Sequence, residues 1–195
     1  MPMMRCTGRK KPAGILSGKR DEMHDIKLLT GDELYDLVFK KIIPDSGKIL
    51  WIATSNLKNV FIEHGRGSVS FLELIAEKLR EKVSVRILHA SRPSKGFLNE
   101  MRNLGDSVDA GLELFCCPRN HMKAVISDNL RMYIGSANIT GAGVGMKGLN
   151  KRNFELGIYT EDKQLVLQVS DYFDSVWMGN FCGKCRLRNI CPNPL

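Results

Sequence analysis

The chain has 195 residues, 43% of them hydrophobic and 26% charged, which is enough to build one substantial hydrophobic core. Lys and Arg outnumber Asp and Glu by 29 to 21, and the net charge of +8 favours a polyanionic partner. The best apolar stretch, Ile49–Ala53, is too short to cross a bilayer, and no apolar segment follows the N-terminal charges. We therefore expect a cytoplasmic protein with no membrane partner.

The chain divides into three predicted regions. Residues 1–25 are basic, contain several glycines and lack apolar periodicity, which predicts an arm outside the core. Residues 26–179 carry regular apolar patterns and are predicted to form one folded domain. Residues 180–195 form a tail that contains three of the six cysteines.

Helical and strand patterns alternate through the central region. Apolar residues recur at helical spacing in four segments, the first with Thr30 as its N-cap and the second with Ser70 and Glu73 as a capping box. The predicted helices are 30–43, Ser70–Lys82, Lys95–Leu104 and Asp162–Trp177. The predicted strands are Lys48–Ala53, Val83–Leu88, Leu112–Cys116, Met122–Ser127, Leu130–Ile134 and Phe154–Tyr159. This order indicates an α/β fold in which helices flank both faces of a mixed β-sheet.

A dense group of polar residues lies between positions 120 and 138. His121 and Lys123 stand two apart on a predicted strand and so share a face, and Ser136 and Asn138 follow the next strand at the same spacing. A tight turn at Asp128-Asn129 returns the second strand to the same end of the sheet, and the Asp128 carboxylate can tie that hairpin together. A neutral His121 could attack phosphorus while Lys123 and Asn138 bind the phosphoryl oxygens. The pattern thus favours phosphodiester cleavage without a metal.

The spacing HxK(x)4D(x)6GSxN resembles the signature of the phospholipase D superfamily, and the chain matches it without a gap. The resemblance implies an α-β-α sandwich for residues 26–179, catalysis without a cofactor, and an acidic residue that hydrogen-bonds the nucleophilic histidine. Glu155 matches that acidic position. The catalytic residues implied are His121, Lys123, Asp128, Ser136, Asn138 and Glu155.

Members of this superfamily usually carry two copies of the motif, whereas this chain carries one. The chain is therefore similar to the short bacterial nucleases of the superfamily, which implies a homodimer in which each subunit supplies one His121. Nucleic acid, either DNA or RNA, is the implied substrate. Two alternatives stay open: a non-catalytic nucleic-acid-binding accessory module, and a phospholipase D that acts on lipid headgroups. The residues expected to contact nucleic acid are Arg92, Lys147, Lys151 and Arg152.

Cysteines at the C-terminus have the spacing of metal ligands. Cys182, Cys185 and Cys191 form C-x2-C-x5-C-P, which resembles the last three ligands of the iron-sulfur loop in endonuclease III-type DNA glycosylases. We predict a structural zinc or iron-sulfur site with Cys6 as fourth ligand, and keep Cys116 and Cys117 as alternatives. Three free thiols are the remaining interpretation.

Overall fold

A mixed β-sheet forms the centre of the molecule. The computed structural model describes residues 26–64, 67–109, 111–141, 143 and 153–195, so the predicted basic arm lies outside the described residues. Within these ranges, seven strands form one sheet and two more form a separate hairpin. The sheet strands are β1 (Ile26–Thr30), β2 (Ile49–Thr54), β5 (Ser84–His89), β6 (Leu112–Cys116), β7 (Ala124–Ser127), β8 (Arg131–Gly135) and β9 (Leu156–Thr160), and the hairpin is β3 (Phe61–His64) with β4 (Gly67–Ser70). Strand order in the sheet is β1-β9-β8-β7-β2-β5-β6.

Helices cover both faces of this sheet. They are α1 (Asp32–Leu37), which continues as a π-helical turn over Val38–Ile42, α2 (Phe71–Arg80), α3 (Lys95–Leu104), α4 (Asp106–Asp109) and α5 (Lys163–Trp177). Helices α1 to α4 share one hydrophobic core with alternate strand residues such as Ile52, and α5 shares the other with residues such as Ala53. The predicted α/β fold, with helices on both faces of a mixed sheet, is therefore confirmed. None of the helices in the described ranges combines the length and the apolar character needed to span a bilayer.

The predicted capping box is present at the start of α2, whereas the N-cap predicted for the first helix is wrong. Ser70 accepts a hydrogen bond from the Glu73 amide at 3.1 Å, and the Glu73 carboxylate accepts one from the Ser70 amide. Thr30, predicted as the N-cap of the first helix, is instead the last residue of β1 and pairs with Leu156 in β9. Gly31 makes the turn into α1 with φ of 54°, a conformation open to glycine.

The strand directions bring the ends of several strands to one edge of the sheet. Strands β2, β5 and β6 run parallel and finish there, and the antiparallel β8 also finishes there, while β7 and β9 begin there. The turn between β7 and β8 has positive φ at Asp128 (57°) and Asn129 (54°), which confirms the tight hairpin. Strand β7 begins at Ala124 rather than at Met122, so His121 and Lys123 lie just before it.

Candidate active site

His121 and Lys123 occupy the segment that leads into β7. His121 is exposed, whereas the side chain of Lys123 is buried. The Lys123 ammonium donates to the His121 carbonyl oxygen at 2.8 Å and lies 3.1 Å from the ring atom Nδ1. Burial lowers the pKa of Lys123, and the negative charge of Glu155 partly opposes this effect. The two side chains thus form one contact pair, with the imidazole open to solvent.

Ser136 and Asn138 reach the same edge from the end of β8. Gly135 precedes them where β8 and β9 approach closely: a Cβ there would lie 2.5 Å from the Leu156 carbonyl oxygen and 2.8 Å from the Gly157 Cα. Only glycine fits this position without displacing the neighbouring strand. This close approach explains the glycine of the GSxN pattern and sets the position from which Ser136 and Asn138 extend.

The Asn138 side chain joins the loop after β8 to the end of β2. Its Oδ1 accepts hydrogen bonds from the Ser55 amide at 2.8 Å, the Asn56 amide at 3.2 Å and the Thr54 hydroxyl at 3.2 Å. These bonds use the amide oxygen, so the side-chain NH2 group is the donor that can serve a ligand. The position of Asn138 is therefore fixed by backbone contacts before any substrate binds.

Glu155 contacts Ser136 rather than His121. The prediction from the family resemblance placed a hydrogen bond between Glu155 and His121. Among the described residues, the Glu155 carboxylate instead accepts hydrogen bonds from the Ser136 hydroxyl and from Asn153 Nδ2 at 3.0 Å. The backbone explains this choice, because Ser136 pairs with Leu156 through its amide at 2.9 Å and so lies directly beside Glu155. Glu155 still belongs to the cluster, since its charge acts on Lys123.

Asp128 lies at the opposite end of β7 from His121 and does not join the cluster. Its carboxylate accepts hydrogen bonds from the amides of Gly47 at 2.9 Å, Lys48 at 2.7 Å and Ile49 at 2.8 Å, the residues that lead into β2. Partial burial raises the pKa of Asp128, but the three amides outweigh that effect and hold the pKa below its ordinary value. Asp128 was predicted to tie the hairpin together and to belong to the catalytic set, whereas its carboxylate joins the hairpin to the start of the β2 segment, away from His121.

An open groove with an apolar wall runs beside His121. It has a volume of about 660 Å³, and its lining includes Lys123, Leu28, Leu156 and Tyr172. Those three apolar side chains are strongly exposed, at 62%, 59% and 56% respectively. Sequence patterns did not identify them, because isolated apolar residues on different elements carry no motif.

The predicted nucleic-acid contacts are only partly described. Arg92 is exposed in the loop after β5, at the same edge as His121. Lys147, Lys151 and Arg152 lie outside the described residues. Arg119, which the sequence analysis missed, is exposed and lines a second groove of about 420 Å³ together with His121. Its position two residues before His121 is the signal that could have identified it.

Three of the four predicted metal ligands lie close together at the end of the chain. Cys182, Cys185 and Cys191 line one small cavity, whereas Cys6 lies outside the described residues. Within the described ranges, no group of three or more His, Cys, Asp or Glu side chains could hold a metal ion as the side chains stand. The described cysteines are free thiols.

Comparison with known proteins gives one family and several similar folds. A family model described as "Cardiolipin synthase, PLD-like domain" matches residues 39–177. Nuc, a phospholipase D family member from Salmonella typhimurium, is 16% identical, with a TM-score of 0.59 over 79% of this chain and 95% of that chain. NucT from Helicobacter pylori is 15% identical, with a TM-score of 0.56 over 79% of this chain and 96% of that chain. TrmBL2, an archaeal chromatin protein that binds DNA, is 15% identical, with a TM-score of 0.52 over 82% of this chain and 54% of that chain. No curated protein matches the sequence.

Proposed function

The chain belongs to the phospholipase D superfamily, whose members are typically phosphodiesterases, and on this basis we propose that it is a metal-independent nuclease with His121 as its nucleophile. The resemblance drawn from the HxK(x)4D(x)6GSxN spacing is thereby confirmed at the level of the family. The observation that carries the proposal is the cluster at one sheet edge, where an exposed His121 contacts Lys123 and lies at the same edge as Ser136 and Asn138.

The chemistry has two steps. In the first, the imidazole of His121 attacks phosphorus, the bond to the leaving oxygen breaks, and a histidine acid protonates that oxygen. Lys123 and the Asn138 NH2 group hydrogen-bond the non-bridging oxygens as charge develops on them. In the second step, water gives a proton to the histidine acid and attacks phosphorus, and the bond between phosphorus and His121 breaks. The phosphate product leaves and both histidines return to their starting states.

Attack requires one tautomer of His121. The reacting nitrogen, Nε2, needs its lone pair, so the proton must be on Nδ1. In the free site the Lys123 ammonium stands 3.1 Å from Nδ1 and can only donate, which favours the opposite tautomer. A phosphate that draws Lys123 toward its oxygens would release Nδ1. In this proposal Glu155, whose charge acts on Lys123, turns from Ser136 to accept a hydrogen bond from Nδ1.

The histidine acid comes from a second copy of the chain in this proposal. The chain has a single copy of the motif, and His89, which ends β5, is only 5% exposed and binds the Ser91 carbonyl oxygen. The exposed apolar residues Leu28, Leu156 and Tyr172 border the groove beside His121 and supply a surface that a twofold contact would bury. A dimer formed there would bring the two His121 side chains to one shared site.

Subunit mixing tests the shared site. Wild-type protein is mixed with an equal amount of His121→Ala protein, and subunits are allowed to exchange. If each site needs both copies of His121, only wild-type dimers cleave, and these make up about a quarter of all dimers after exchange. The expected activity is then about a quarter of that of unmixed wild type at the same total protein concentration. Survival of half the activity would show that each subunit works alone and would contradict the shared site.

Nucleic acid is the proposed substrate because of charge. The chain carries a net charge of +8, and both Arg92 and Arg119 are exposed on the side of the molecule that holds His121. DNA binding by TrmBL2, which shares the fold, supports the same choice. A lipid phosphodiester is the second candidate, and the apolar groove beside His121 is the observation that favours it.

The deciding experiment offers the protein both kinds of substrate in EDTA. Labelled single- and double-stranded DNA and RNA are tested beside vesicles that contain phosphatidylglycerol, with wild-type, His121→Ala and Lys48→Ala proteins. Lys48 is exposed at the start of β2, at the opposite sheet edge, so its variant controls for loss of a cation. We expect nucleic-acid cleavage by wild type and by Lys48→Ala, and none by His121→Ala. Headgroup release with intact nucleic acid would establish the phospholipase instead, and tight binding without turnover would establish an accessory module.

A further inference from the structure

The C-terminal tail holds a defined conformation without a hydrophobic core. Among the described residues, none after Phe173 is a buried hydrophobic side chain, and Phe181, Ile190 and Leu195 are 48%, 73% and 55% exposed. Beyond α5 the regular structure described is a single short 3₁₀ turn, Arg188–Ile190. Segments of this size that cannot bury enough apolar surface are usually held by a disulfide or a metal ion. The described cysteines form no disulfide.

Four cysteines from two parts of the chain line one cavity. Cys182, Cys185 and Cys191 of the tail meet Cys117, which follows the end of β6. The tail is held against this strand end by a hydrogen bond from the Cys116 amide to Asn193 Oδ1 at 2.9 Å. The cavity measures about 30 Å³, which is close to the share of volume of one water molecule in the liquid.

We propose that Cys117, Cys182, Cys185 and Cys191 bind a single structural Zn²⁺ ion. Four thiolates complete the closed tetrahedral shell of a structural zinc site, and C-x2-C is the usual spacing of its first ligand pair. A cavity with room for one small ion favours zinc over an iron-sulfur cluster. The side chains do not form this shell as they stand, so binding turns the thiols inward and releases their protons.

Two arginines balance the charge of this site. Four thiolates around Zn²⁺ carry a net negative charge, which is costly in a partly buried place without a counter-charge. Arg119 and Arg188 line the same cavity. Their guanidinium groups supply the positive charge that a four-thiolate zinc site requires.

The site connects the tail to the nucleophile. Cys117 lies four residues before His121, and both line the groove of about 420 Å³ that Phe181 of the tail also borders. A metal held by Cys117 and the tail would therefore fix one wall of that groove and the segment that carries His121. Cys6, the fourth ligand predicted from sequence, has no part in this set.

Metal content and thiol protection test the site without an activity assay, so their outcome is independent of the proposed nuclease function. Full-length wild type, Cys117→Ser, Cys116→Ser and Cys6→Ser proteins are purified, checked by circular dichroism, and analysed for zinc and iron. We expect about one zinc per chain in wild type, Cys116→Ser and Cys6→Ser, and at least a fivefold lower content in folded Cys117→Ser. Cys116 is the matched control, since it is adjacent to Cys117 but does not line the cavity.

A second measurement uses wild type alone, so it does not depend on how any variant folds. The protein is alkylated with N-ethylmaleimide before and after zinc removal, and each cysteine is quantified by mass spectrometry. Protection of Cys117, Cys182, Cys185 and Cys191, with Cys6 and Cys116 reactive, supports the site. Iron with visible absorbance, zinc retained by Cys117→Ser, zinc lost from Cys6→Ser, or wild type that neither contains nor takes up zinc would each overturn it.

Discussion

The two ends of β7 carry polar residues of the same motif in opposite surroundings. At one end the Asp128 carboxylate is saturated by three backbone amides. At the other end His121 is exposed, and its ring contacts the side chain of Lys123 and no backbone donor among those described. A polar group saturated by backbone has little capacity left for a ligand, whereas one held by another side chain can exchange that partner for a substrate.

This difference separates stability from activity within one motif. Substitutions at the Asp128 end should lower the free energy of unfolding and leave the chemistry of the folded protein intact. Substitution of His121 should do the reverse, because its ring contacts no backbone group among those described. The predictions below test this separation.

Loss of the His121 side chain should have the largest effect. We predict that His121→Ala lowers the rate of phosphodiester cleavage by at least about 10⁴-fold, because the proposed mechanism forms its covalent intermediate on His121. The thermal unfolding midpoint should stay within about 2 °C of wild type, because the side chain is exposed. Single-turnover kinetics and differential scanning calorimetry measure the two quantities. Substantial residual cleavage, or a large drop in the unfolding midpoint, would contradict the assignment of activity rather than stability to the His121 end of β7.

Lys123 should have the next largest effect on rate. We predict that Lys123→Ala lowers kcat by about 10²- to 10³-fold through loss of charge stabilisation, whereas Lys48→Ala at the opposite sheet edge leaves kcat unchanged. Burial lowers the pKa of Lys123, so its ammonium loses the proton at a pH below the ordinary lysine pKa of about 10.4. Activity should therefore fall as the pH rises through this lowered pKa. Lys123→Arg should move that alkaline limb upward in a pH profile of kcat. A limb that does not move would exclude Lys123 as its cause.

The sequence was sufficient to predict that these polar residues lie at one edge of the sheet, because the segment that enters β7 and one tight turn determine it. His121 and Lys123 lie just before β7, and the hairpin at Asp128 returns Ser136 to the same edge. The partner of Glu155 could not be predicted in this way. It depends on the pairing of β8 with β9, which sets Ser136 beside Leu156 and is a contact between distant parts of the chain.

The features that the sequence did not reveal have little local pattern. In β1 only Leu29 is buried, so the strand shows none of the alternation that marks a strand with one buried face. The proximity of Cys117 to the tail cysteines likewise arises from the docking of residues 178–195 against the end of β6. The spacing of the tail cysteines predicted a missing ligand, but it could not single out Cys117, which lines their cavity while Cys116 does not.

Asp128 tests the other end of β7. We predict that Asp128→Ala lowers the free energy of unfolding by about 1–3 kcal/mol, because three amides lose a charged acceptor and water replaces it only in part. Cleavage per folded molecule should stay within about twofold of wild type. Urea unfolding measures the first quantity, and Asp171→Ala, at an exposed position in α5, is the matched control. A loss of cleavage without a loss of stability would show that Asp128 takes part in the chemistry.

The same carboxylate predicts a pH dependence of stability. Its pKa in the folded protein is held below the ordinary value, so its contribution is complete above an unfolded pKa of about 3.9 and is lost as the pH falls through the folded value. The difference in unfolding free energy between wild type and Asp128→Asn should therefore be large at neutral pH and shrink in acid. Asp171→Asn should show no such trend. A difference that is constant with pH would rule out the charge of Asp128 as the source of its effect.

Substitution of Arg92 should have the smallest effect. It compares the two edges of the sheet in their contribution to substrate affinity. Arg92 and Arg80 are both exposed arginines, the first at the His121 edge and the second at the end of α2, toward the opposite edge. One phosphate contact contributes modestly and disappears in salt, so we predict that Arg92→Ala raises KM for nucleic acid about three- to tenfold and reduces the salt dependence of binding by about one charge. Arg80→Ala should change neither. Equal effects of the two variants would mean that affinity depends on the total charge of the protein and not on the position of the arginine. The two sheet edges would then differ in catalysis but not in nucleic-acid binding.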